Sequence, residues 1–196
     1  MNNNFRTYLI EKAGITPEEF AELDSYLSLK PVAKGDFVLQ AGQKCRDTFF
    51  VEQGILRAYS IDSNGKEHII QFASEDWFIS DRSSLFFDKP SDFYIQAIED
   101  SVLVVIPNEF FEKAAKISAS FRKFNQRLLN THILHMQKRI ILLLGASAET
   151  RYLEFIKLYP DLQLRVSQWM ISSYLGITPE SLSRVRKELA ERDREN

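Results

Sequence analysis

The hydrophobic pattern changes period twice along this chain, and that change constrains the fold more than any other feature. Between Val32 and Ile106, short runs rich in β-branched and aromatic residues are separated by turn residues, which favours a sandwich or barrel of short strands. On both sides of this region, apolar residues recur every three or four positions, as in amphipathic helices. The sequence therefore predicts an α+β chain in which helices flank a β-rich core.

Local signals predict where some of these elements begin and turn. Thr16 can cap a helix over residues 16–30, with Pro17 at its first position. The run Asp62–Gly65 predicts a tight hairpin, because Asn-Gly tolerates positive φ. A further pair of strands is predicted around Glu99–Asp100, where DFYIQAI is followed by SVLVVI.

After the strands, a long helical segment carries an apolar seam with a 4-3 rhythm that shifts by one residue midway. Such a seam is typical of a coiled-coil-like contact between two copies with a register slip. A helix buried within its own domain is the alternative. The candidate dimerisation residues are Phe121, Phe124, Leu128, Ile133, Met136 and Ile140.

The net charge of −2 conceals two regions of opposite sign. Residues 1–117 hold 12 basic and 19 acidic residues, whereas residues 118–187 hold 11 basic and 4 acidic residues. Concentrated positive charge is what binding to a phosphate backbone requires. The alternative is a chance imbalance between two solvated surfaces.

The stretch from Ser167 to Leu189 predicts a helix-turn-helix. Ser167 can cap a first helix, and Gly176 can end that helix in the left-handed conformation. Thr178 can then cap a second helix that starts at Pro179. Two short helices joined by a glycine-containing turn form the unit that places its second helix in the major groove of DNA.

The outward side chains of this unit suit nucleic acid. Arg184 could bind guanine with two hydrogen bonds, and Glu180 could accept one from cytosine. The alternative is an ordinary surface ion pair between these two residues, four positions apart. The candidate DNA-binding residues are Ser167, Gln168, Thr178, Pro179, Glu180, Ser181, Ser183, Arg184 and Lys187.

Taken together, these segments resemble the Crp/Fnr family of bacterial transcription regulators over roughly residues 30–189. KGDFVLQAGQKC and the strands after it resemble the family's cyclic-nucleotide-binding β-roll, a double-stranded, jelly-roll-like fold. The helix over 121–144 matches the dimerisation helix, and ISSYLGITPESLSRVRKEL matches the recognition unit. The resemblance places Glu180 and Arg184 on the family's base-reading Glu and Arg, and Pro179 where many members carry another Arg.

The chain departs from the family's phosphate-binding cassette between Trp77 and Ala97. Asp81 and Asp92 stand near the positions of the Gly-Glu and Arg-Ser/Thr pairs, and an acidic residue beside a phosphate is electrostatically unfavourable. We therefore expect no cAMP binding. Candidates for contact with an unknown effector are Trp77, Asp81, Arg82, Ser83, Ser84 and Gln96, and the alternative is a roll filled by Phe78, Phe86 and Phe87.

Two other functions remain open on the sequence. A cupin-like protein that binds a metal or small ligand would use histidines, here His68, His132 and His135. A cyclic-nucleotide-responsive signalling module without DNA binding would not need the helix-turn-helix. No enzyme activity, metal or cofactor is predicted, and the effector is unknown.

The sequence also predicts the organisation and setting of the protein. The expected domains are a β-roll effector domain over 1–116, a dimerisation helix and linker over 117–146, and a helix-turn-helix domain over 147–196 with a reduced or absent wing. The expected partners are double-stranded DNA, a second copy, RNA polymerase and a small-molecule effector. A cytoplasmic protein without membrane contact is expected, and Cys45 is expected to be a surface or strand-end thiol.

Overall fold

The computed structural model describes residues 4–195, and its internal contacts group the chain into two compact units. The first runs to Lys66 and resumes over Ile70–Asn130. The second comprises Glu67–Ile69 and the residues from Thr131 onward. The boundary falls inside a helix, so the two halves of that helix pack with different parts of the chain.

The N-terminal part of the first unit is helical, but the helix predicted over 16–30 is shorter. Thr16 forms the predicted cap: its side chain accepts from the Glu19 N–H, and Glu19 bonds the Thr16 N–H in return. The helix ends early, and the next residues form a 3₁₀ turn before the first strand. The elements are α1 (Asn4–Tyr8), a π-helical turn (Leu9–Ala13), α2 (Pro17–Ala21) and the 3₁₀ turn Asp24–Tyr26.

Among the described residues, eight strands form two four-stranded sheets, as the resemblance to a double-stranded roll implied. One sheet has the order β1-β8-β3-β6 and the other β2-β7-β4-β5. The strands are β1 (Ser28–Val32), β2 (Phe37–Leu39), β3 (Asp47–Gln53), β4 (Leu56–Ile61), β5 (Glu67–Ala73), β6 (Phe78–Ile79), β7 (Tyr94–Ala97) and β8 (Ser101–Pro107).

One predicted strand pair is confirmed and the other is wrong. Residues Asp62–Gly65 connect β4 to β5, and Gly65 has a φ of 79°. The strands on either side of Glu99–Asp100 do not pair, because β7 lies beside β2 and β4 whereas β8 lies beside β1 and β3. Alternating apolar residues identify a strand, but they do not specify its partner when both sheets face the same core.

A close approach at Gly54 helps to fix the connection from β3 to β4. Its φ is 99°, and a Cβ added there would lie 2.3 Å from the Ser101 Oγ and 2.8 Å from the Ser101 Cα. Since real Cβ atoms do not approach backbone this closely, only glycine fits at this position.

The remaining helices complete both units. They are α3 (Arg82–Phe87), α4 (Asn108–Ile117), α5 (Ala119–Gly145), α6 (Ala148–Leu158), α7 (Leu162–Arg165), α8 (Gln168–Leu175) and α9 (Pro179–Glu195). Among residues 4–195, α9 continues to Glu195, the last of them, and the reduced or absent wing stays a prediction. Over the same residues, no helix is long and apolar enough to cross a membrane.

The first half of α5 is part of the core of the first unit, which corrects the dimerisation prediction for two residues. Phe121 and Phe124 are 1% and 8% exposed and pack in a cluster with Phe50 and Phe110. Leu128 is partly buried against the same cluster. Phe121 and Phe124 are covered by their own chain, so the contact between copies predicted for them is wrong.

Candidate nucleic-acid interface

The helix-turn-helix predicted from the sequence is formed by α8 and α9. Gly176 ends α8 with a φ of 65°, and its N–H donates to the carbonyls at the end of that helix. The Ile177 N–H donates to the Ser172 carbonyl at 3.0 Å, which closes the turn. A Cβ at Gly176 would lie 3.0 Å from the Leu143 side chain, so the turn packs closely against α5.

The start of α9 is capped as predicted. The Thr178 Oγ1 accepts from the Ser181 N–H at 3.2 Å, and Pro179 occupies the first helical position. The pKa of Glu180 is held below its usual value, first by hydrogen bonding from its own backbone N–H and then by the Thr178 hydroxyl. An ionised carboxylate is thus favoured at the positive end of the helix dipole.

One face of α9 packs inside the second unit and the other is open. Leu182 and Val185 are buried, whereas Leu189 is half-buried. The predicted DNA-binding side chains lie together on the open face, where Ser181 is half-buried. The others are exposed: Thr178, Pro179, Glu180, Ser183, Arg184 and Lys187.

The start of α8 differs in detail from the prediction. Ser167 stands at the capping position, but its side chain makes no capping hydrogen bond. Its carbonyl instead accepts from the N–H groups of Met170 and Ile171. Ser167 and Gln168 are both exposed, so the Ser167 hydroxyl is not needed to hold the helix end.

The surface ion pair considered for Glu180 and Arg184 does not form among the described residues. Lys187 instead pairs with Glu191, with 3.8 Å between Nζ and Oε1. Exposed pairs of this kind contribute at most about 1 kcal/mol. The Arg184 guanidinium is therefore not held by a neighbouring carboxylate of this helix.

Two arginines that the sequence analysis did not single out hold the end of α8. The Arg139 Nη2 donates to the Tyr174 carbonyl at 3.0 Å, and the Arg151 Nη1 donates to the Leu175 carbonyl at 3.0 Å. Arg139 also lies over the Tyr174 ring, 3.9 Å from its centre. These bonds satisfy carbonyls that a helix end leaves without partners. In the sequence both residues appear only as basic residues among many.

Ser173 is a third residue whose role the sequence did not indicate. Within the second unit, its Oγ donates to the Glu67 carbonyl at 3.1 Å and accepts from the Ile69 N–H at 3.0 Å. A serine in the middle of a short helix gives no local signal for such a bond.

The effector candidates of the roll do not converge on one site. The Asp81 carboxylate is buried and caps α3 by accepting from the Ser84 N–H at 3.1 Å. The Ser84 Oγ accepts in turn from the Cys45 N–H at 2.7 Å. Arg82 and Ser83 are exposed, with Arg82 stacked over Phe86.

Gln96, another effector candidate, is held by the first unit itself. Its Oε1 accepts from the buried Arg57 at 2.6 Å, and its Nε2 donates to the Gly35 carbonyl at 2.8 Å. Trp77 packs at the edge of the core between the sheets. A buried arginine beside this glutamine was not anticipated.

One further expectation about the roll is corrected, and for Cys45 one of the two expected settings is confirmed. Phe86 and Phe87 are 53% and 72% exposed, so they do not fill the roll, although Phe78 packs against its core. Cys45 lies just before β3 but is buried, and burial is the largest cause that raises the pKa of its thiol. It is therefore a strand-end thiol and not a surface one.

The histidines do not form a metal centre in the described part of the chain. No group of three or more His, Cys, Asp or Glu side chains there could hold a metal ion. His135 lies instead beside a cavity lined by α5, α6 and α8.

The second half of α5 exposes apolar side chains that the first half does not. Ile133 and Ile140, both predicted at a contact between copies, are more than half exposed. Leu134, Ile141 and Leu144 are exposed beside them, and Met136 is half-buried. We call the exposed residues Ile133, Leu134, Ile140, Ile141 and Leu144 the α5 apolar face. Neighbouring exposed apolar side chains of this size commonly mark interaction sites.

Comparison with known proteins finds a family match in the first unit and relatives that align with most of the chain. The cyclic nucleotide-binding domain family matches residues 29–118. The anaerobic regulatory protein of Pasteurella multocida is 25% identical over 183 residues, which cover 87% of this chain and 66% of that protein. The fumarate and nitrate reduction regulatory protein of Vibrio cholerae is 26% identical, over 87% of this chain and 72% of its own.

The fold is also that of a solved structure. FixK2 from Bradyrhizobium japonicum superposes with a TM-score of 0.71 at 22% identity, covering 85% of this chain and 86% of FixK2. The similarity therefore extends through the roll and the helices that follow it. The aligned part spans about two thirds to three quarters of the two curated relatives.

Proposed function

This chain belongs to the Crp/Fnr family of transcription regulators, and we propose that it acts as a homodimer that binds a palindromic DNA site through α8 and α9. The observation that carries the proposal is the open polar face at the start of α9. There, Glu180, Ser183 and Arg184 are exposed directly over the buried Leu182 and Val185. A rigid helix with exposed hydrogen-bonding groups in its first turns is what reading of base edges requires.

The charge of the surrounding chain supports binding to the DNA backbone. Residues 118–187 carry a net charge of +7, although the whole chain carries −2. Basic groups near the helix-turn-helix would attract phosphates regardless of sequence, while Glu180 and Arg184 would discriminate between bases. A DNA-binding role would be carried out in the cytoplasm, and RNA polymerase is a further partner to be expected at a promoter.

The α5 apolar face supports assembly with a second copy. Ile133, Ile140, Ile141 and Leu144 lie on one side of this helix and are exposed. A symmetric contact would bury these side chains against the same residues of the partner. Two recognition helices related by a twofold axis would then read two half-sites, which is why a palindrome is expected.

We propose that the roll does not bind a cyclic nucleotide. Asp81 stands near the start of the segment where the family's phosphate cassette is expected, and its carboxylate is already used to cap α3. Arg82 stacks on Phe86 at 4.6 Å and is exposed. A cyclic phosphate would therefore meet a fixed acidic group. Calorimetry should detect no binding of cAMP at micromolar concentrations, and saturable binding would contradict this part of the proposal.

Selection of DNA sequences by the purified protein tests the proposal most directly. We expect enrichment of a palindrome, and we expect Arg184→Ala to weaken binding to it by about 1–3 kcal/mol, because a base contact is lost. Arg194→Ala is the matched control, since Arg194 is exposed on α9 and is ten residues further along. Equal binding by wild type and Arg184→Ala in fluorescence anisotropy would exclude the base-reading role.

The dimer can be tested separately by sedimentation. Ile140→Glu would place a charge in the α5 apolar face and should shift the protein toward monomer, because an unpaired charge is costly to bury. Gln126→Glu introduces the same charge at an exposed position of the first half of α5 and should leave the dimer intact. A dimer that is unaffected by Ile140→Glu would show that the contact lies elsewhere.

A further inference from the structure

A cavity of about 340 Å³ lies among α5, α6 and α8, entirely within the second unit. Small-molecule sites commonly have volumes of roughly 300–1,000 Å³, so this cavity is large enough for a small ligand. Leu142, Phe155 and Leu158 contribute apolar surface to it. None of the predicted DNA-binding residues lines the cavity, which makes it distinct from the surface proposed for DNA.

The charges around this cavity have mostly one sign. Among the described lining residues, Lys138, Arg139, Arg151 and Lys157 carry four positive charges, and Glu154 carries the one negative charge. His135 adds a group that can donate a hydrogen bond. A concave apolar surface with a few converging cations is a suitable environment for an organic anion.

Glu154 offsets only part of this positive charge. Its carboxylate accepts hydrogen bonds from Lys138 and, at 3.1 Å, from Lys157. The Arg151 guanidinium donates to the carbonyls of Ala146 and Leu175, at 3.1 and 3.0 Å, and these carbonyls carry no net charge. One carboxylate thus faces two lysines, beside an arginine that is bound by neutral groups.

We propose that this cavity binds a small organic anion, a phosphate monoester or a carboxylate with an apolar body. The anionic group would interact with Lys138 and Lys157, and the apolar body would contact Leu142, Phe155 and Leu158. Both head groups share this chemistry, because each is an oxyanion that accepts hydrogen bonds from ammonium groups. The site does not depend on the proposed DNA binding.

The cavity remains available when α5 contacts a second copy. On a helix with 3.6 residues per turn, His135, Arg139 and Leu142 lie opposite Ile133, Ile140 and Leu144, the centre of the α5 apolar face. A partner seated on that face would therefore leave the cavity-lining side of the helix uncovered.

Calorimetry with the full chain tests the site, using phenyl phosphate and benzoate as probes. Inorganic phosphate and phenol are the references for the head group and the apolar body alone. We expect at least one aryl anion to bind once per chain, and roughly tenfold more tightly than either reference, because burial of a ring and pairing of a charge act together. The stronger probe identifies the preferred head group. If neither aryl anion binds more tightly than its references, the proposal is overturned.

Variants that remove a positive or a negative charge from the cavity test whether the probe binds there. Lys157→Gln removes a cation and should weaken binding of the preferred probe roughly threefold to tenfold, whereas Glu154→Gln removes the competing carboxylate and should strengthen it. Lys113→Gln is the matched control, since Lys113 is also an ion-paired lysine but lies in the first unit beside Glu22.

Folding is checked by thermal melting of each variant, and Lys138→Gln provides a second test of the cationic side. Equal affinity of wild type and both lysine variants would place the ligand elsewhere and refute the proposal. So would a shift in the same direction for Lys157→Gln and Glu154→Gln.

Discussion

The segment around α3 and the start of α9 contain similar residues but use them in different ways. Each begins with a capping side chain, Asp81 or Thr178, and each contains an arginine and serines in the first turns. In α3 the capping carboxylate and Ser84 are buried and bonded to their own chain. In α9 the corresponding polar face is open, over a buried apolar row.

This difference indicates which polar residues remain available to a partner. A buried polar group must be hydrogen-bonded within the protein, since leaving it unpaired costs about 1–3 kcal/mol. Asp81 and Ser84 therefore stabilise the roll, and an effector would have to displace those bonds. Glu180 and Arg184 are exposed, so DNA could reach them without displacing a buried hydrogen bond.

The largest effect is expected for the apolar row beneath the α9 surface. Leu182 is fully buried, and Leu182→Ala should destabilise the second unit by about 2–5 kcal/mol, because it removes contacts and leaves a cavity. Urea denaturation measures the loss, and hydrogen exchange localises it to the helices after residue 131. Ser183→Ala, at the exposed neighbouring position, should change stability by no more than about 0.5 kcal/mol. Similar losses of stability for Leu182→Ala and Ser183→Ala would contradict the distinction between a buried and an open face of α9.

A smaller loss is expected for the buried cap of α3. Asp81→Ala should destabilise the first unit by about 1–2 kcal/mol, because the Ser84 N–H loses its acceptor, whereas Asp81→Asn should retain most of the cap. Urea denaturation gives the size of the effect, and hydrogen exchange at the Cys45 N–H reports on the adjoining bond that it donates to the Ser84 Oγ. If Asp81→Ala leaves stability unchanged, Asp81 is not a structural residue, and an effector role for it becomes the better interpretation.

The smallest expected effect is a difference in stability between the alanine variants of two serines that precede helices. The Ser147 Oγ accepts from the Thr150 N–H at 3.1 Å, whereas the Ser167 side chain makes no capping bond. Ser147→Ala should therefore cost about 1 kcal/mol, and Ser167→Ala less than about 0.5 kcal/mol. Thermal melting tests the stability difference, and anisotropy with the selected DNA tests whether Ser167→Ala weakens binding. A loss of stability for Ser167→Ala equal to that for Ser147→Ala would show that the Ser167 side chain caps α8, and unchanged DNA binding would contradict the assignment of Ser167 to the DNA surface.

Local elements and the outward residues of α9 were predictable because their signals lie within a few positions of sequence. Thr16 with Glu19, Gly176 and Thr178 specify helix ends through bonds within the same turn. The Asp62–Gly65 turn is specified in the same way. Spacing of three and four residues then separates the buried face of α9, with Leu182 and Val185, from its open face.

Contacts between distant segments were not predictable. The pairing of β7 and β8 with different sheets was missed, because either partner satisfies the same alternation of apolar residues. Phe121 and Ile133 have the same place in a periodic seam, yet one is buried in the core and the other is exposed. Periodicity identifies an apolar face but not what covers it.

The sequence by itself determined the order of the elements, the capped turn between α8 and α9 and the polar set that the family resemblance assigns to DNA. These depend on short-range hydrogen bonds and on the helical period, which are properties of neighbouring residues. Only the tertiary structure decided that the Asp81 carboxylate caps α3, that Arg139 and Arg151 hold the end of α8, and that α5, α6 and α8 line a cationic cavity. Those outcomes depend on which distant side chains meet, and a charge or an apolar side chain acquires its role only from the groups packed around it.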